Sequence, residues 1–123
     1  MPPEKAIEIL KMMEQGTETI SIDIEGYPGN ITCIAFSRRP GNALVIPFAG
    51  IDGLSTWDEW TERALWAAVK SLIECPTAPK LAQNGFYDFF ALAWTLGITV
   101  QNWAHDTILG WWELYPELKM GLA

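Results

Sequence analysis

Two carboxylates, Asp23 and Glu25, end the apolar segment 19–25. Positions two apart in a β-strand point to the same face, so the segment predicts that these side chains lie side by side. Like charges at that distance repel each other unless a cation lies between them. Because Mg²⁺ and Mn²⁺ prefer carboxylate oxygens, the pair predicts a metal-binding platform at the end of a strand.

A third carboxylate, Asp88, and an amide, Asn84, belong to the segment 84–88, which follows a short predicted strand and opens a helix. We expect Asp88, one turn into that helix, to project toward the strand ends, where ligand groups gather in α/β sheets. It would then converge with Asp23 and Glu25. Each residue also has a structural explanation: a first-turn acid complements the helix dipole, and an Asn before a helix is a turn former or a cap.

Composition limits the classes of protein. The 123 residues, half of them hydrophobic and seven of them Trp, predict one domain with its own core. No apolar run is long enough to predict a membrane span, and the N-terminus does not read as a signal peptide. Cys33 and Cys75 fit neither a metal site nor a disulfide framework, so we expect reduced core residues and a cytoplasmic protein. The net charge of −7 argues against nucleic-acid binding by bulk electrostatics, but not against an enzyme whose metal ions supply positive charge.

The elements expected to position these residues change character along the chain. Short turns rich in Gly and Pro join the first three strands and predict antiparallel pairing, whereas helical crossovers in the second half predict parallel pairing. The predicted fold class is α/β: a mixed five-stranded sheet, first three strands antiparallel and then parallel, with helices on both faces. We expect Trp60 and Trp94 in the core. Two of the four predicted helices are 3–15 and 87–96. A further helix is capped by Ser55 or Thr56 and runs to about 74, and the last is capped by Asp106 or Thr107 and runs to about 114. The predicted strands are 19–25, 31–37, 43–48, 80–83 and 99–105.

Several segments together resemble one family. Residues 21–25 resemble the first motif of the 3′–5′ exonucleases of the DEDD superfamily, and residues 84–88 resemble their second motif, Asn-x-x-x-Asp. Residues 105–109 and 114–118 are similar to the segment after the second motif in proofreading domains of family A DNA polymerases, especially phage-type ones. The order and spacing of the motifs agree, and the resemblance implies a ribonuclease H-like fold.

The resemblance also implies an activity, namely two-metal-ion hydrolysis of phosphodiester bonds at DNA 3′ ends, with two divalent cations, Mg²⁺ or Mn²⁺. It implies that Asp23 bridges both ions, Glu25 holds the ion that activates water, and Asp88 holds the second ion. The implied partners are a single-stranded DNA 3′ end and the remainder of a DNA polymerase chain, in a bacterial or phage-infected cell. Aromatic residues near the site are candidates for stacking on unpaired bases, although packing is their commoner role. The expected substrate-binding residues are Asn84, Tyr27 and Phe86.

One part of the family pattern is missing, namely the fourth acid, which a later helix carries with a Tyr or His. His105 does not begin a His-x-x-x-x-Asp motif because residue 110 is Gly, and Asp106 fits a helix cap. By resemblance, residues 1–123 are therefore a single, C-terminally incomplete exonuclease domain, truncated before the third motif and weak or inactive alone. The apolar residues expected to stay exposed as a result are Trp111, Trp112 and Leu122.

Three other functions stay open at this point. A catalytically incomplete domain that binds single-stranded nucleic acid, or that has a structural role inside a polymerase, is favoured by the missing acid. A nuclease of the same scaffold that cuts RNA or a hybrid duplex is opposed by the Asn-x-x-x-Asp spacing. A small-molecule enzyme with a metal-carboxylate site has no motif in its support. The preference for DNA or RNA is likewise open.

Overall fold

The computed structural model describes residues 1–119, which form one five-stranded sheet and four helices. The helices are α1 (Pro3–Gln15), α2 (Glu59–Ile73), α3 (Gly85–Leu96) and α4 (Thr107–Leu114). The strands are β1 (Ile20–Tyr27), β2 (Asn30–Arg39), β3 (Asn42–Pro47), β4 (Lys80–Ala82) and β5 (Trp103–Asp106). The strand order across the sheet is β3-β2-β1-β4-β5.

The strand pairing confirms the mixed sheet that the turns and crossovers predict. β1, β2 and β3 pair antiparallel, while β4 pairs parallel to β1 and β5 pairs parallel to β4. β1 therefore lies at the centre of the sheet. It is bonded to β2 along its length but to β4 only at Ile20 and Ser21. Beyond Ser21, no strand within residues 1–119 pairs with the β4 side of β1.

The core lies on one face of the central strand. Ile20, Ile22 and Ile24 are buried and alternate with Asp23 and Glu25, which are exposed, as the two-residue period of a strand requires. Helices α1 and α2 pack against each other, and both contribute apolar side chains to this core. The buried helical residues are Ala6, Leu10 and Met13 in α1 and Leu65, Val69, Leu72 and Ile73 in α2.

The predicted cap of α2 is wrong. Ser55 and Thr56 both precede the helix, and its N-cap is Asp58, whose carboxylate accepts a hydrogen bond from the Thr61 backbone N–H at 2.9 Å. Ser55 instead donates its hydroxyl to the Glu62 carboxylate at 2.9 Å. Several polar residues in this stretch could cap a helix, and only the three-dimensional path of the chain decides among them.

The predicted burial of two tryptophans is also wrong. Trp60 is 78 % exposed and Trp94 is 72 % exposed. Trp60 precedes the buried Val69 by about two and a half turns, so it lies on the opposite side of α2 from the core. On α2, the aromatic ring that packs inward is that of Trp66, which stacks on Phe48 with 3.9 Å between the ring centroids.

Other predictions differ in part. The fifth strand begins at Trp103 rather than at residue 99, because Asn102 has a left-handed φ of 57° that interrupts the extended backbone. Both cysteines are partly exposed rather than core residues.

Two of the apolar residues predicted to be exposed, Trp111 and Trp112, are exposed in the structure. The third, Leu122, lies outside the described residues. No helix within residues 1–119 is long and apolar enough to cross a membrane.

Candidate carboxylate site

Asp23 and Glu25 lie on the exposed face of β1, immediately before a β-bulge. The register of β1 against β2 shifts between Glu25 and Gly26, where φ is +117°. A Cβ atom at Gly26 would lie 2.3 Å from the Asn30 carbonyl oxygen, so the bulge requires glycine. Bulges bend a strand and redirect its side chains. This bulge therefore shifts the register of β1 against β2 just after the second carboxylate, and pairing continues from Gly26 to Tyr27.

Asp88 lies near the start of α3, which begins at Gly85 rather than at the predicted residue 87. Its side chain is buried, with 6 % of the residue exposed, and its Oδ2 atom has no hydrogen-bond partner within the described residues. A buried carboxylate oxygen without a partner is costly, which makes it unusual in a folded protein. The Asp88 carboxyl group is thus poised for a proton or a cation.

The pKa of Asp88 reflects this environment. Burial raises it, the negative charge of Asp23 raises it further, and the result is a pKa of about 7. The backbone N–H of Ile24 lowers the pKa by hydrogen bonding, while the charges of Glu25 and Asp106 add smaller increases. The charges of Asp23 and Glu25 on β1 therefore act on Asp88 of α3, while the convergence of the three carboxylates on one metal cluster stays a prediction. Their roles as ligands remain predictions.

Contacts at both ends of its first turn hold α3 in place. The Tyr87 hydroxyl donates to the Gly26 carbonyl at 3.1 Å and so ties the helix to the bulge of β1. The backbone N–H of Gly85 donates to Asp106 Oδ2 at 2.7 Å. The prediction of Asp106 as a helix cap is confirmed for α4, since its Oδ1 accepts from the Ile108 N–H at 3.0 Å. Its contact with α3 joins two segments that are distant in sequence and was not predicted.

The residues predicted to bind substrate lie at the surface around this turn. Asn84 is exposed and its side chain does not cap α3. Tyr27 is 59 % exposed, and its hydroxyl accepts a hydrogen bond from the Asn30 side chain at 3.2 Å. Phe86 is 66 % exposed and packs edge-to-face on Trp103 with 4.9 Å between centroids. Both rings leave most of their surface open for contact with a ligand.

Three aromatic residues beyond the predicted set extend this surface. Phe90 is 58 % exposed and stacks on Trp94, four residues later on the same side of α3. Trp103 supports Phe86 from β5. The helical spacing of Phe86, Phe90 and Trp94 is visible in the sequence, but aromatic residues at that spacing usually mark a buried face.

Cys33 is a further residue that the sequence does not place at the site. It lies directly opposite Glu25 in the β1–β2 register, so both side chains are on the same face of the sheet. Burial raises the pKa of the Cys33 thiol, and the charges of Glu25 and Asp23 raise it further. The carboxylate face of β1 therefore continues onto β2.

The carboxylate oxygens of Asp23, Glu25 and Asp88 are chemically suited to bind a divalent cation. Within residues 1–119, no three His, Cys, Asp or Glu side chains are arranged to hold a metal ion in the conformation described. The Asp88 Oδ2 atom nevertheless lacks a partner, and two exposed carboxylates are near it. Hard cations such as Mg²⁺ take oxygen ligands of this kind.

Comparison with known proteins gives the fold. No family model matches the chain, and no curated protein matches it. Among solved structures, the POL domain of Pol1 from M. smegmatis in complex with DNA primer-template and dNTP is 18% identical with a TM-score of 0.68, covering 100% of this chain and 20% of that chain. Escherichia coli RNase D, an exoribonuclease involved in structured RNA processing, is 16% identical with a TM-score of 0.63, covering 98% of this chain and 29% of that chain. Brucella melitensis NrnC with bound Mg²⁺ is 18% identical with a TM-score of 0.60, covering 89% of this chain and 51% of that chain.

These structures confirm the mixed α/β, ribonuclease H-like architecture that the sequence predicts. The chain spans between 20% and 51% of the length of these solved structures. At this level of identity, the likeness gives the architecture and leaves the activity to be argued from the site.

Proposed function

We propose that this chain is part of a metal-dependent 3′–5′ exonuclease that hydrolyses phosphodiester bonds at DNA 3′ ends, as the proofreading part of a DNA polymerase. The observation that carries the proposal is a buried Asp88 carboxyl oxygen that has no partner in the described part of the chain and is affected by the charges of the exposed Asp23 and Glu25. A fold shared with an exoribonuclease and with a polymerase bound to DNA supports it.

The proposed ligands of two divalent cations, Mg²⁺ or Mn²⁺, are Asp23, Glu25 and Asp88. When bound, such cations supply Lewis-acid activation of the phosphodiester and of a water molecule. The solved NrnC structure with Mg²⁺ supports this choice of ion. The protein's own contribution is to hold three carboxylates together against their mutual repulsion. β1 fixes two of them, and α3 presents the third from a water-poor position.

The proposed substrate is a single-stranded DNA 3′ end. Tyr27 and Phe86 expose most of their ring surface and would stack on the terminal bases. The side-chain amide of Asn84 makes no capping hydrogen bond and would contact the terminal nucleotide. Because the chain carries a net charge of −7, a strand would approach only once cations neutralise the carboxylates. The remaining proposed partner is the rest of a DNA polymerase chain, and the proposed location is the cytoplasm.

The test measures cation binding first, since the fourth acid of the family is absent from this sequence. Mn²⁺ added to the chain should bind saturably, as seen from the loss of the free-Mn²⁺ electron paramagnetic resonance signal. Asp88→Asn and Asp23→Asn should each weaken binding about tenfold or more. Asp52→Asn is the matched control, because Asp52 is an exposed carboxylate in the loop before α2. Equal affinity in all four proteins would contradict the proposal.

The second measurement is the reaction itself. A single-stranded oligonucleotide labelled at its 5′ end should be shortened from its 3′ end in a Mn²⁺-dependent ladder. We expect this ladder to form slowly, because losing one positioned group commonly costs on the order of a hundredfold or more in rate. Asp23→Asn should abolish it. Internal cleavage, or shortening that persists in EDTA, would instead indicate a different nuclease.

A second candidate is a domain that binds single-stranded nucleic acid without cleaving it. The exposed aromatic residues of α3 favour this candidate, since base stacking on aromatic rings tolerates any sequence. Fluorescence titration with oligonucleotide separates the two candidates. Binding that survives EDTA and Asp88→Asn but is lost in Phe86→Ala supports a binding domain. Binding that requires Mn²⁺ supports the exonuclease.

A further inference from the structure

Asp106 is the acidic residue that connects the two helices next to the candidate site. Its Oδ1 atom accepts hydrogen bonds from the backbone N–H of Asn84 and of Ile108, each at 3.0 Å. Its Oδ2 atom accepts from the Gly85 N–H at 2.7 Å. One carboxylate therefore binds the start of α3 and the start of α4 at the same time, across more than twenty residues of sequence.

The start of α3 depends on this carboxylate because the helix has no cap of its own. Asn84 occupies the N-cap position with a left-handed φ of 57°, and its side chain makes no capping hydrogen bond. The first backbone N–H groups of a helix have no partner inside the helix. Asp106 supplies the missing acceptor for the N–H groups of Asn84 and Gly85.

Tight packing on β5 reinforces the same connection. A Cβ atom at Gly85 would lie 2.7 Å from the Trp103 ring and 3.0 Å from the Ala82 side chain. Trp103 also packs edge-to-face on Phe89, one turn further along α3, with 5.0 Å between centroids. The first turn of α3 is thus held on the strand that ends at Asp106.

We propose that Asp106 is a positioning residue, which anchors the first turn of α3 so that Asp88 faces the carboxylates of β1. Both oxygens of Asp106 are occupied by backbone N–H groups, which argues for anchoring rather than for ligation of a cation. The consequence for cation binding rests on the proposed function. The anchoring itself is independent of that function and is tested separately.

The first test is amide hydrogen exchange in the full chain, with Asp106→Ala and the milder Asp106→Asn. Loss of the acceptor should speed exchange of the Asn84 and Gly85 amides about 5- to 30-fold, the range expected for a lost helix cap. Asp58→Asn is the matched control, since Asp58 caps α2 through Thr61. It should affect α2 and leave the Gly85 amide protected. A Gly85 amide that stays protected in both Asp106 variants would overturn the proposal.

The second test is Mn²⁺ affinity, which a purely structural role would not change selectively. Groups that orient ligands typically contribute 10- to 100-fold to metal affinity, and Asp106→Asn should weaken Mn²⁺ binding within that range. The same loss should persist at about 1 M KCl, where a Debye length of about 3 Å screens the simple effect of removing one charge. Asp58→Asn should bind Mn²⁺ like the wild type. Equal losses in both variants, or a loss that disappears in high salt, would overturn the positioning role.

The two tests also separate this inference from the proposed function. A wild-type chain without saturable Mn²⁺ binding contradicts the proposed function. In that case, faster exchange at Gly85 in the Asp106 variants still supports the anchoring of α3.

Discussion

Asp88→Asn should change how the stability of the chain depends on pH. Burial and the charge of Asp23 raise the pKa of Asp88 from its ordinary 3.8 to about 7. Between these two values the folded chain keeps a proton that the unfolded chain has released. The free energy of unfolding therefore falls as pH rises through this interval. The destabilisation is absent below the unfolded pKa and fully present above the folded pKa. Asn carries no charge at any pH, so the variant should lack this decline.

The magnitude follows from the size of the shift. A rise of about three pKa units corresponds to about 4 kcal/mol at 1.36 kcal/mol per unit. Because Asp23 and Glu25 are exposed, water and salt screen part of their effect, and a measured difference of about 2–4 kcal/mol is expected. Any cost of burying the Asn amide does not depend on pH. It cancels when the variant and the wild type are compared at acid and at alkaline pH.

The assay is urea unfolding followed by Trp fluorescence from about pH 4 to about pH 8, with both proteins at each pH. Asp58→Asn serves as a control that should leave the pH profile unchanged across this range. Hydrogen bonds from the Thr61 backbone and hydroxyl lower the pKa of Asp58, so its contribution is fully present above the unfolded pKa and is lost only as pH falls through the folded pKa, below the range of the assay. If Asp88→Asn and the wild type show parallel pH profiles, the inference of a raised Asp88 pKa is refuted.

Three further predictions concern the bulge of β1, the contact of α3 with it, and the packing of α2. Gly26→Ala should destabilise the chain by about 1–3 kcal/mol in urea unfolding, because its Cβ would meet the Asn30 carbonyl at a positive φ; a change within about 0.5 kcal/mol would mean that the bulge relaxes freely. Tyr87→Phe removes the hydrogen bond to the Gly26 carbonyl and should cost about 0.5–1.5 kcal/mol, and an unchanged midpoint would show that the hydroxyl does not hold α3. Trp66→Ala should cost about 2–3 kcal/mol, below the range for a fully buried Trp, because its partly buried ring stacks on the buried Phe48. Trp60→Ala should change the free energy of unfolding by no more than about 0.5 kcal/mol. Comparable losses in the Trp66 and Trp60 variants would contradict the difference in burial between the two rings.

The sequence predicts the sheet well where local rules decide the outcome. Alternating isoleucines identify β1 and its buried face, and Gly-rich turns identify the meander. The α1 prediction agrees with the structure, which ends the helix before Gly16. The predictions fail where several residues are locally equivalent, as with the cap at Asp58 and the strand interrupted at Asn102.

For the site, the sequence predicts residues but not their environments. Strand period places Asp23 and Glu25 on one face, and that placement is observed. The burial of Asp88 depends on how α3 lies against β1, which no local pattern specifies. The same holds for Cys33, whose position opposite Glu25 follows only from the β1–β2 register. Contacts between distant segments are the part that a single sequence leaves open.

The environment of Asp88 bears on the alternative that it only complements the dipole of α3. A first-turn acid serving the dipole gains about 0.3–1 kcal/mol and is effective at the surface. Asp88 is instead buried, its Oδ2 atom has no hydrogen-bond partner among residues 1–119, and two acids on β1 repel it. Ionisation of Asp88 therefore destabilises the fold by more than the interaction with the helix dipole stabilises it. A cation shared with Asp23 and Glu25 would reverse that balance, because it would partner the free oxygen and remove the repulsion. The arrangement thus favours a ligand-binding role for Asp88 over a purely structural one.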